Sequence, residues 1–592
     1  MSENQANSTQ NTKQYFFRAS AADFKKIPGS PIAYWVGSAT KAAFSEMERL
    51  GNFSKPRQGM STNDNERFLR LWFESSILRI GFGYADAKEA KISNKRWFPY
   101  NKGGTFRKWY GNSELTVNWA NDGQEIKEWL VNNPKDPNTL HWSRRIINTE
   151  FYFKTGITWT FISSNAFGVR YSHQGALFDV QGSSMFPARN LEFVLGFLAS
   201  KVAWHFLKIL NPTVSIQAGN IAALPWVSFD SAKLEDAGKR DVFLIKLAKQ
   251  DWDSYETSWD FTCLPLFQTE HILPTLKGTY QNLRTHWQEM TLEMQRLEEE
   301  NNRIFIDAYG LQEELNPEVP LNEITLTCNP NYRYSNSKNA EELEALLLTD
   351  TMKEFISYAV GCMFGRYALD KPGLILANQG DTVKEYLRQI PEPIFPADHD
   401  NVIPILDGDW FTDDISDRFR KFLRVTFGEE HYEENLKFIE VALGKEIRKY
   451  FLKDFYNDHL RRYKKRPIYW LFSSPKGSFN ALIYMHRYRP DTVSVVLNAY
   501  LREFRNKLLV RKTHLEAVSI SASASPGEKT KALKEIESLR KIIEELERYE
   551  REVLYPLATE QLAINLDDGV KVNYQKFGTA LKKIPGLDAK EE

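Results

Sequence analysis

The sequence predicts a multi-domain α+β protein, in which a strand-rich domain is joined to largely helical domains that include a long antiparallel helical hairpin. Three observations predict this class. The 592 residues are too many for a single hydrophobic core. Aromatic and β-branched residues, broken by Gly, Asn and Pro, dominate residues 96–226, which is typical of strands. Beyond residue 270, apolar residues recur three and four positions apart, which is typical of helices.

Composition and periodicity divide the chain into six segments. Residues 1–14 are polar, without an apolar run, and are predicted to be a disordered tail. The following segments are a helical N-terminal region (15–95), a strand-rich α+β domain (96–226), a linker and long helix (227–310), a mostly helical domain (311–460), and a basic strand–turn segment with the helical hairpin and the C-terminal tail (461–592).

The same periodicities predict individual elements in the first half of the chain. The apolar residues between Phe68 and Ile77 predict a buried helix. Ile157–Ile162 and Leu177–Val180 have the composition of strands. The strand-rich domain is expected to end with a helix from Leu191 to Leu210, followed by a strand that ends near Pro225.

Helical spacing dominates the second half. It covers residues 272–309, 340–370 and 415–460, whereas residues 463–488 alternate like strands. Two further helical patterns, beginning at Val493 and Leu533, are separated by a Ser/Ala/Pro/Gly-rich loop. This arrangement predicts the antiparallel hairpin.

Charge is informative only in its distribution, since 77 Lys and Arg balance 77 Asp and Glu. The segment Trp97–Asn112 contains aromatics, glycines and the cations Lys102, Arg107 and Lys108, with no acidic residue. Cations bind phosphate, aromatic rings stack on bases, and glycines permit close approach, so this segment is a candidate nucleic-acid surface. Buried aromatics with solvated cations are an equally good interpretation on composition alone.

A second basic cluster lies between Arg461 and Arg511. It holds twelve Lys or Arg and only two acidic residues, a net charge of +10. The turn Ser473–Ser478 adds backbone amides and hydroxyls, which commonly contact phosphate oxygens. The alternatives are a solvated basic face, or a docking surface for the acidic stretches Glu298–Glu300 or Asp407–Asp417.

Several long stretches resemble one known family, the adenine-specific DNA methyltransferases of BREX phage-exclusion systems called PglX, in the C-terminal half of those proteins. The matching stretches are Ile27–Trp35, Trp97–Asn112, Asn148–Phe153, Lys208–Thr213, Trp252–Phe261, Ile356–Tyr367, Tyr463–Trp470 and Leu566–Tyr574. In addition, the helix and the Gln217–Pro225 stretch at the end of the 96–226 domain resemble the ending of target-recognition domains in type I specificity subunits and fused type II enzymes.

In that family the S-adenosylmethionine site and the catalytic Asn-Pro-Pro-Tyr/Phe loop lie in the N-terminal half. The resemblance therefore implies that this chain is the target-recognition and helical half, with no catalytic residue or cofactor of its own and with S-adenosylmethionine on the missing catalytic half. The expected partners are double-stranded DNA and the catalytic half or other BREX subunits. The expected location is cytoplasmic, without a membrane span, since no stretch of about 18 apolar residues occurs.

The candidate DNA-binding residues fall into two groups. In the strand-rich domain they are Lys102, Arg107, Lys108, Trp109, Tyr110, Arg144, Arg145, Lys154 and Arg170. In the second cluster they are Lys464, Lys465, Arg466, Lys476 and Arg487.

Two other functions remain open at this stage. One is a complete S-adenosylmethionine-dependent methyltransferase with an unrecognised site, and the other is a protein-interaction scaffold of the defence complex. Asn329-Pro-Asn-Tyr332 resembles the catalytic loop but lacks its second proline, so we interpret it as a turn. The three cysteines and ten histidines show no metal-ligand spacing, and no metal site is expected.

Overall fold

The computed structural model of the chain describes residues 25–31, 35–162, 166–229, 231–334 and 338–587. The predicted disordered tail, residues 1–14, lies outside them. The chain divides into two compact units, each made of segments that are separated in sequence. The first unit comprises Met1–Asn63, Gly81–Trp252 and Gln288–Asn336, and the second comprises Asp64–Ile80, Asp253–Trp287 and Ser337–Glu592. Mixed helices and small sheets make this an α+β protein, as predicted.

Short strands in the first unit form the frame that carries the basic loop. One set runs in the order Pro56–Arg57, Ser184–Met185, Gly156–Trp159 and Val169–Ser172, with every pair antiparallel. Trp97–Asn101 pairs antiparallel with Leu115–Asn118 and parallel with Leu177–Phe178. A third pair joins Glu48–Arg49 to Pro225–Trp226. Large aromatic side chains on these strands, including Trp97 and Trp159, are fully buried.

Helices surround the strands of the first unit. The α-helices are Ser38–Glu46, Leu50–Phe53, Ala87–Ile92, Ala120–Asn132, Leu191–Ala199, Lys201–Leu210, Ala218–Ala222, Ser231–Asp253 and Pro330–Arg333, with the long helix Leu276–Tyr309 entering from residue 288. The predicted helix over Leu191–Leu210 is interrupted at Ser200. Its hydroxyl donates to the Phe197 carbonyl (2.6 Å) and accepts from the Ala203 amide (3.3 Å), so it ends one helix and caps the next.

The second unit is mainly helical. Its α-helices are Asn65–Phe68, Ala340–Met363, Val383–Gln389, Ile415–Phe427, Tyr432–Leu443, Ile447–Tyr450, Tyr456–Arg462, Thr492–Val495, Arg502–Ile520, Pro526–Tyr549, Tyr555–Glu560 and Gly569–Gln575. Its small sheet has the order Ile403–Pro404, Asn480–Tyr484, Tyr469–Ser473, with both pairs antiparallel. These strands confirm the strand pattern predicted within residues 463–488.

The antiparallel helical hairpin is confirmed as Arg502–Ile520 and Pro526–Tyr549. The second helix begins with a capping box, in which Ser525 accepts from the Glu528 amide and Glu528 accepts from the Ser525 amide. Pro526 occupies the first helical position, where its missing N–H costs nothing.

The prediction of one buried helix between Phe68 and Ile77 is wrong. The structure has a helix over Asn65–Phe68, a strand over Leu69–Leu71 and two 3₁₀ turns, Trp72–Glu74 and Ile77–Arg79. The buried Glu74 carboxylate explains the difference, because it accepts from the amides of Leu71 (2.9 Å) and Val570 (2.9 Å). Tertiary hydrogen bonding of this kind overrides a local apolar pattern.

In the described ranges no single helix has the length and apolarity needed to cross a membrane. The helices Leu191–Ala199 and Lys201–Leu210, which meet at an angle of 67°, are together long and apolar enough for a membrane span, by length and composition only.

Candidate nucleic-acid interface

The basic loop between Trp97–Asn101 and Leu115–Asn118 turns into the first unit. The Trp109 amide donates to the Val169 carbonyl (2.9 Å), and the Tyr171 amide donates to the Trp109 carbonyl (2.8 Å), so the loop extends the neighbouring sheet. Gly111 follows with a φ of +119°, and a Cβ there would lie 2.4 Å from Arg107 Cδ. Glycine is therefore required for the loop to fold back on itself.

Arg107 lies at the centre of this folded loop and is only 6% exposed. One terminal nitrogen donates to Asp251 (3.3 Å) and to the Thr325 carbonyl (3.1 Å), and the other donates to the Thr327 hydroxyl (2.7 Å). The guanidinium also lies over the Trp252 ring, 4.9 Å from its centroid. The planar guanidinium of arginine can donate several hydrogen bonds at its edge while its face packs on an aromatic ring.

Lys108 and Trp109 share a single buried carboxylate. The Lys108 ammonium pairs with one oxygen of Glu298, and the Trp109 indole nitrogen donates to the other (2.8 Å). Burial raises the pKa of Glu298, and the charge of Lys108 opposes that rise. A carboxylate removed from water in this way depends on its two partners to remain charged.

The sequence analysis expects Arg107, Lys108, Trp109, Tyr110 and Arg170 on a DNA-facing surface, and the structure places all five side chains in the interior instead. Arg170, 1% exposed, donates to the Thr160 hydroxyl (3.1 Å), and burial lowers its pKa to about 10. Burying a cation is costly unless it is paired or hydrogen-bonded, and the partners described above meet that cost.

The other candidates in the first unit are more accessible. Lys102 pairs with Asp179 at 3.3 Å, and Arg145 pairs with Asp136 at 2.6 Å. Arg144 donates to the Asn138 carbonyl (2.8 Å), and Lys154 lies over the Phe151 ring, 5.2 Å from its centroid. Arg144 and Lys154 are exposed, so both can reach a ligand in solvent.

In the second unit, Lys464 and Lys465 project from a turn just after the Tyr456–Arg462 helix. Both are exposed, and both have a left-handed backbone, with φ of 51° and 60°. Arg466 is largely covered and faces Glu74 at 4.0 Å. Arg487, expected on the DNA surface, is instead buried, where it donates to the carbonyls of Phe364 (3.2 Å) and His399 (3.4 Å).

The Ser473–Ser478 turn holds a carboxylate of the chain itself. The Lys476 amide (2.8 Å) and the Ser478 hydroxyl (2.6 Å) both donate to Glu545 on the second hairpin helix. Burial raises the pKa of Glu545, but hydrogen bonds from this turn outweigh it and leave the pKa below its ordinary value. The side chain of Lys476 remains exposed.

Sequence reasoning missed the acids that hold the first loop. From sequence, Glu298–Glu300 is considered as an acidic stretch that could dock on the second basic cluster, whereas in the structure Glu298 is buried, 4% exposed, against the first loop. The burial of Glu298 could have been predicted from helical spacing. Glu298 lies four residues after the buried Met294, and therefore on the same side of the helix.

The Asn329–Tyr332 turn and the glycine at position 81, which follows an apolar run, are both held by contacts within the chain. The Asn329 amide donates to the carbonyls of Leu321 (2.7 Å) and Ile324 (2.9 Å), and its oxygen accepts from the Asn331 amide (3.1 Å). The Tyr332 hydroxyl donates to the Phe106 carbonyl (2.5 Å). A Cβ on Gly81 would lie 2.5 Å from the Phe98 ring, so packing requires a glycine at this position.

One group of side chains in the described ranges has metal-ligand geometry. It consists of Asp398, His399 and Asp400, whose ligand atoms lie within 4.8 Å of one another. Asp398 also faces Arg418 at 3.4 Å, and Asp400 accepts from the Tyr500 hydroxyl (3.1 Å). Protein donors therefore already engage both carboxylates.

Comparison with known proteins gives two relatives that cover almost the whole chain. The adenine-specific methyltransferase PglX of Lacticaseibacillus casei (strain Zhang) is 37% identical over 582 residues, which are 95% of this chain and 45% of that protein. The adenine-specific methyltransferase BrxX of Escherichia coli O9:H4 (strain HS) is 35% identical over 610 residues, which are 99% of this chain and 47% of that protein.

Other comparisons add little. No protein-family model matches the chain. The type IIL restriction-modification enzyme MmeI, solved in complex with DNA, aligns with 45% of this chain and 34% of its own at 10% identity and a TM-score of 0.28, which carries no argument. The chain spans about half the length of the two methyltransferases that it matches, and over nearly all of its own length it is homologous to these adenine-specific methyltransferases, PglX and BrxX.

Proposed function

We propose that this chain is the sequence-specific DNA-binding part of an adenine-N6 DNA methyltransferase in a BREX-type anti-phage system. The observation that carries the proposal is homology to two adenine-specific methyltransferases over at least 95% of the chain. Such an enzyme must bind duplex DNA at a chosen sequence before it modifies a base. We propose that S-adenosylmethionine binds to a separate catalytic half, since Asn329, Tyr332 and Gly81 are committed to packing.

The accessible cations are the proposed contacts with DNA phosphates. In the first unit these are Lys102, Arg144, Arg145 and Lys154, and in the second unit they are Lys464, Lys465 and Lys476. Arg466, which is largely covered and faces Glu74, is proposed to join them at the edge of that surface. Cations of this kind position a protein on a duplex, whereas specificity comes from groups that reach base edges. The buried Arg107, Lys108, Trp109, Tyr110, Arg170 and Arg487 are proposed to support the surface from below, and would touch DNA only if their loops opened.

The experiment is a titration of the isolated chain with a fluorescent duplex at several salt concentrations. If lysines and arginines neutralise phosphates, the logarithm of affinity falls by about 0.9 per tenfold increase in salt for each phosphate contacted. A slope near zero would instead favour a protein-interaction scaffold of the defence complex. Calorimetry with S-adenosylmethionine separates the remaining alternative, because saturable binding by the isolated chain would identify a complete methyltransferase.

A further inference from the structure

A cleft of about 770 Å³ in the second unit shares only Lys476 with the proposed contacts with duplex DNA, which leave the rest of its lining unexplained. It lies beside the Tyr469–Ser473 strand and is closed on one side by the segment after Gly578. That segment is fixed in place, because the Lys582 amide donates to the Leu471 carbonyl (2.8 Å) and Leu581 bridges to Phe472. The volume falls within the range of about 300–1,000 Å³ that is usual for small-molecule sites.

Four lysines and no carboxylate are among the described residues that line this cleft, and the Glu545 carboxylate, which accepts from the Lys476 amide and the Ser478 hydroxyl, is not one of the lining residues. The lysines are Lys453, Lys476, Lys582 and Lys583. Within the described part of the chain none of these four ammonium groups has an ion pair, whereas neighbours such as Lys445 and Arg448 pair with Asp454 and Asp409. Four lysines against the nearby carboxylate of Glu545 leave a net positive potential, which attracts an anion.

The wall of the cleft is also partly apolar. Phe451, Leu471, Leu581 and Ile584 give it an apolar surface, and Ser473 and Thr579 place hydroxyls at its edge. Two tyrosines join the sides, since the Tyr456 and Tyr574 hydroxyls lie 3.0 Å apart and Tyr574 donates to the Lys582 carbonyl (2.5 Å). An inorganic anion would use the cations and leave the apolar wall without a partner.

We propose that this cleft binds a nucleoside phosphate, with the base against the apolar wall and the phosphates among the lysines. This function goes beyond the proposed role of the chain in DNA binding. The presence of lysines without ion pairs, hydroxyls and apolar side chains around one cleft carries the inference, because a nucleotide presents that same combination of surfaces. A duplex contacts a protein mainly through its backbone phosphates and keeps its bases paired, so it offers no base to the apolar wall.

The test is calorimetry of the full chain with four probes: ATP, adenosine, tripolyphosphate and a short duplex. ATP should bind with one site per chain, and adenosine and tripolyphosphate should each bind at least tenfold more weakly. Tripolyphosphate binding as tight as ATP binding would overturn the proposal, because it would show attraction by charge alone. Absence of saturable ATP binding at millimolar concentration would overturn it as well.

Two variants locate the site. Lys453→Ala with Lys583→Ala removes two exposed cations and should weaken ATP binding at least tenfold, since each lysine can pair with a phosphate oxygen. Lys384→Ala with Lys421→Ala, two exposed lysines outside the cleft, makes the same charge change and should leave affinity unaltered. Equal loss in both pairs would contradict the proposed location.

A third variant blocks the space without changing charge. Thr579→Trp adds bulk at an exposed position on the cleft wall and should abolish ATP binding while duplex binding remains. Unchanged ATP binding in this variant would contradict the proposal. Because the duplex is measured in parallel, failure of the nucleotide site is distinguishable from failure of the DNA-binding function.

Discussion

The Trp109 indole nitrogen donates a 2.8 Å hydrogen bond to Glu298, a residue 189 positions later in the chain. The adjacent Lys108 pairs with the other oxygen of the same carboxylate. Two consecutive residues of a sequence that looks like a solvent-exposed basic loop are therefore fixed by one buried acid. Lys108 and Trp109, which the sequence predicts on a DNA-binding surface, therefore lie in the packed interior of the first unit.

Replacing Glu298 by Ala should destabilise the first unit severely. The change leaves the Lys108 ammonium buried without a counter-charge and removes the acceptor of the Trp109 indole, and breaking a buried pair in this way costs about 3–5 kcal/mol. Chemical denaturation followed by tryptophan fluorescence measures the loss. Glu300→Ala is the matched control, since Glu300 is a half-exposed partner of Arg296 and should cost less than about 1 kcal/mol. Similar effects of the two substitutions would refute the role assigned to Glu298.

Arg107→Lys should destabilise the protein although it preserves the charge. Lysine cannot donate at once to Asp251, the Thr325 carbonyl and the Thr327 hydroxyl, nor stack flat on the Trp252 ring. We expect a loss of roughly 2–4 kcal/mol in the free energy of unfolding, as for other disrupted buried networks. Specific and random duplexes should be bound in an unchanged ratio at temperatures where the variant is folded. A lower ratio with undiminished stability would show that Arg107 reads DNA directly.

The strand and helix content follows from periodicity because each pattern is local. The hairpin Arg502–Ile520 and Pro526–Tyr549 is an example, since apolar spacing, the Ser/Pro/Gly loop and the Ser525 cap all agree. Whether a candidate cation is buried or exposed cannot be predicted from local sequence in this way. The burial of Arg107, for example, depends on Asp251 and Thr325, which lie 144 and 218 residues away in the chain. Reading the sequence from end to end also yields domains of consecutive residues. Both units are instead assembled from segments that alternate along the chain, and no local pattern reveals this.

The stability of the first unit should fall as pH rises from about 4 to about 7. Burial raises the pKa of Asp241 to about 7, with partial opposition from Arg240. The folded state therefore holds a proton that the unfolded chain, with a pKa of about 3.9, releases earlier. The resulting stabilisation is fully present below that unfolded value and is lost as pH approaches the folded one, by at most about 1.4 kcal/mol per pH unit.

Denaturant titrations of the parent chain and Asp241→Asn across this range check the assignment. The variant cannot ionise, so its free energy of unfolding should vary less with pH, and its stability relative to the parent should be greater at pH 8 than at pH 4. Parallel pH profiles for the two proteins would show that another group is responsible.

Removing the exposed charges of Lys464 and Lys465 should weaken DNA binding without regard to sequence. Gln at both positions removes the charge but keeps an unbranched polar side chain in a turn where both residues have positive φ. If each lysine neutralises one phosphate, the slope of log affinity against log salt should decrease by about 1.8. Lys384→Gln with Lys421→Gln is the matched control on exposed positions, for which we expect no change. An unchanged slope in the Lys464 and Lys465 variant would make that cluster a solvated face only.

The most direct test of the central claim is selection from a pool of random duplexes by the isolated chain at about 0.15 M salt. A DNA target-recognition part should enrich one adenine-containing sequence, which it then binds at least about 10³-fold more tightly than random duplex, as is usual for specific DNA-binding proteins. Enrichment of no sequence, together with affinity for random duplex that does not depend on salt, would contradict the account.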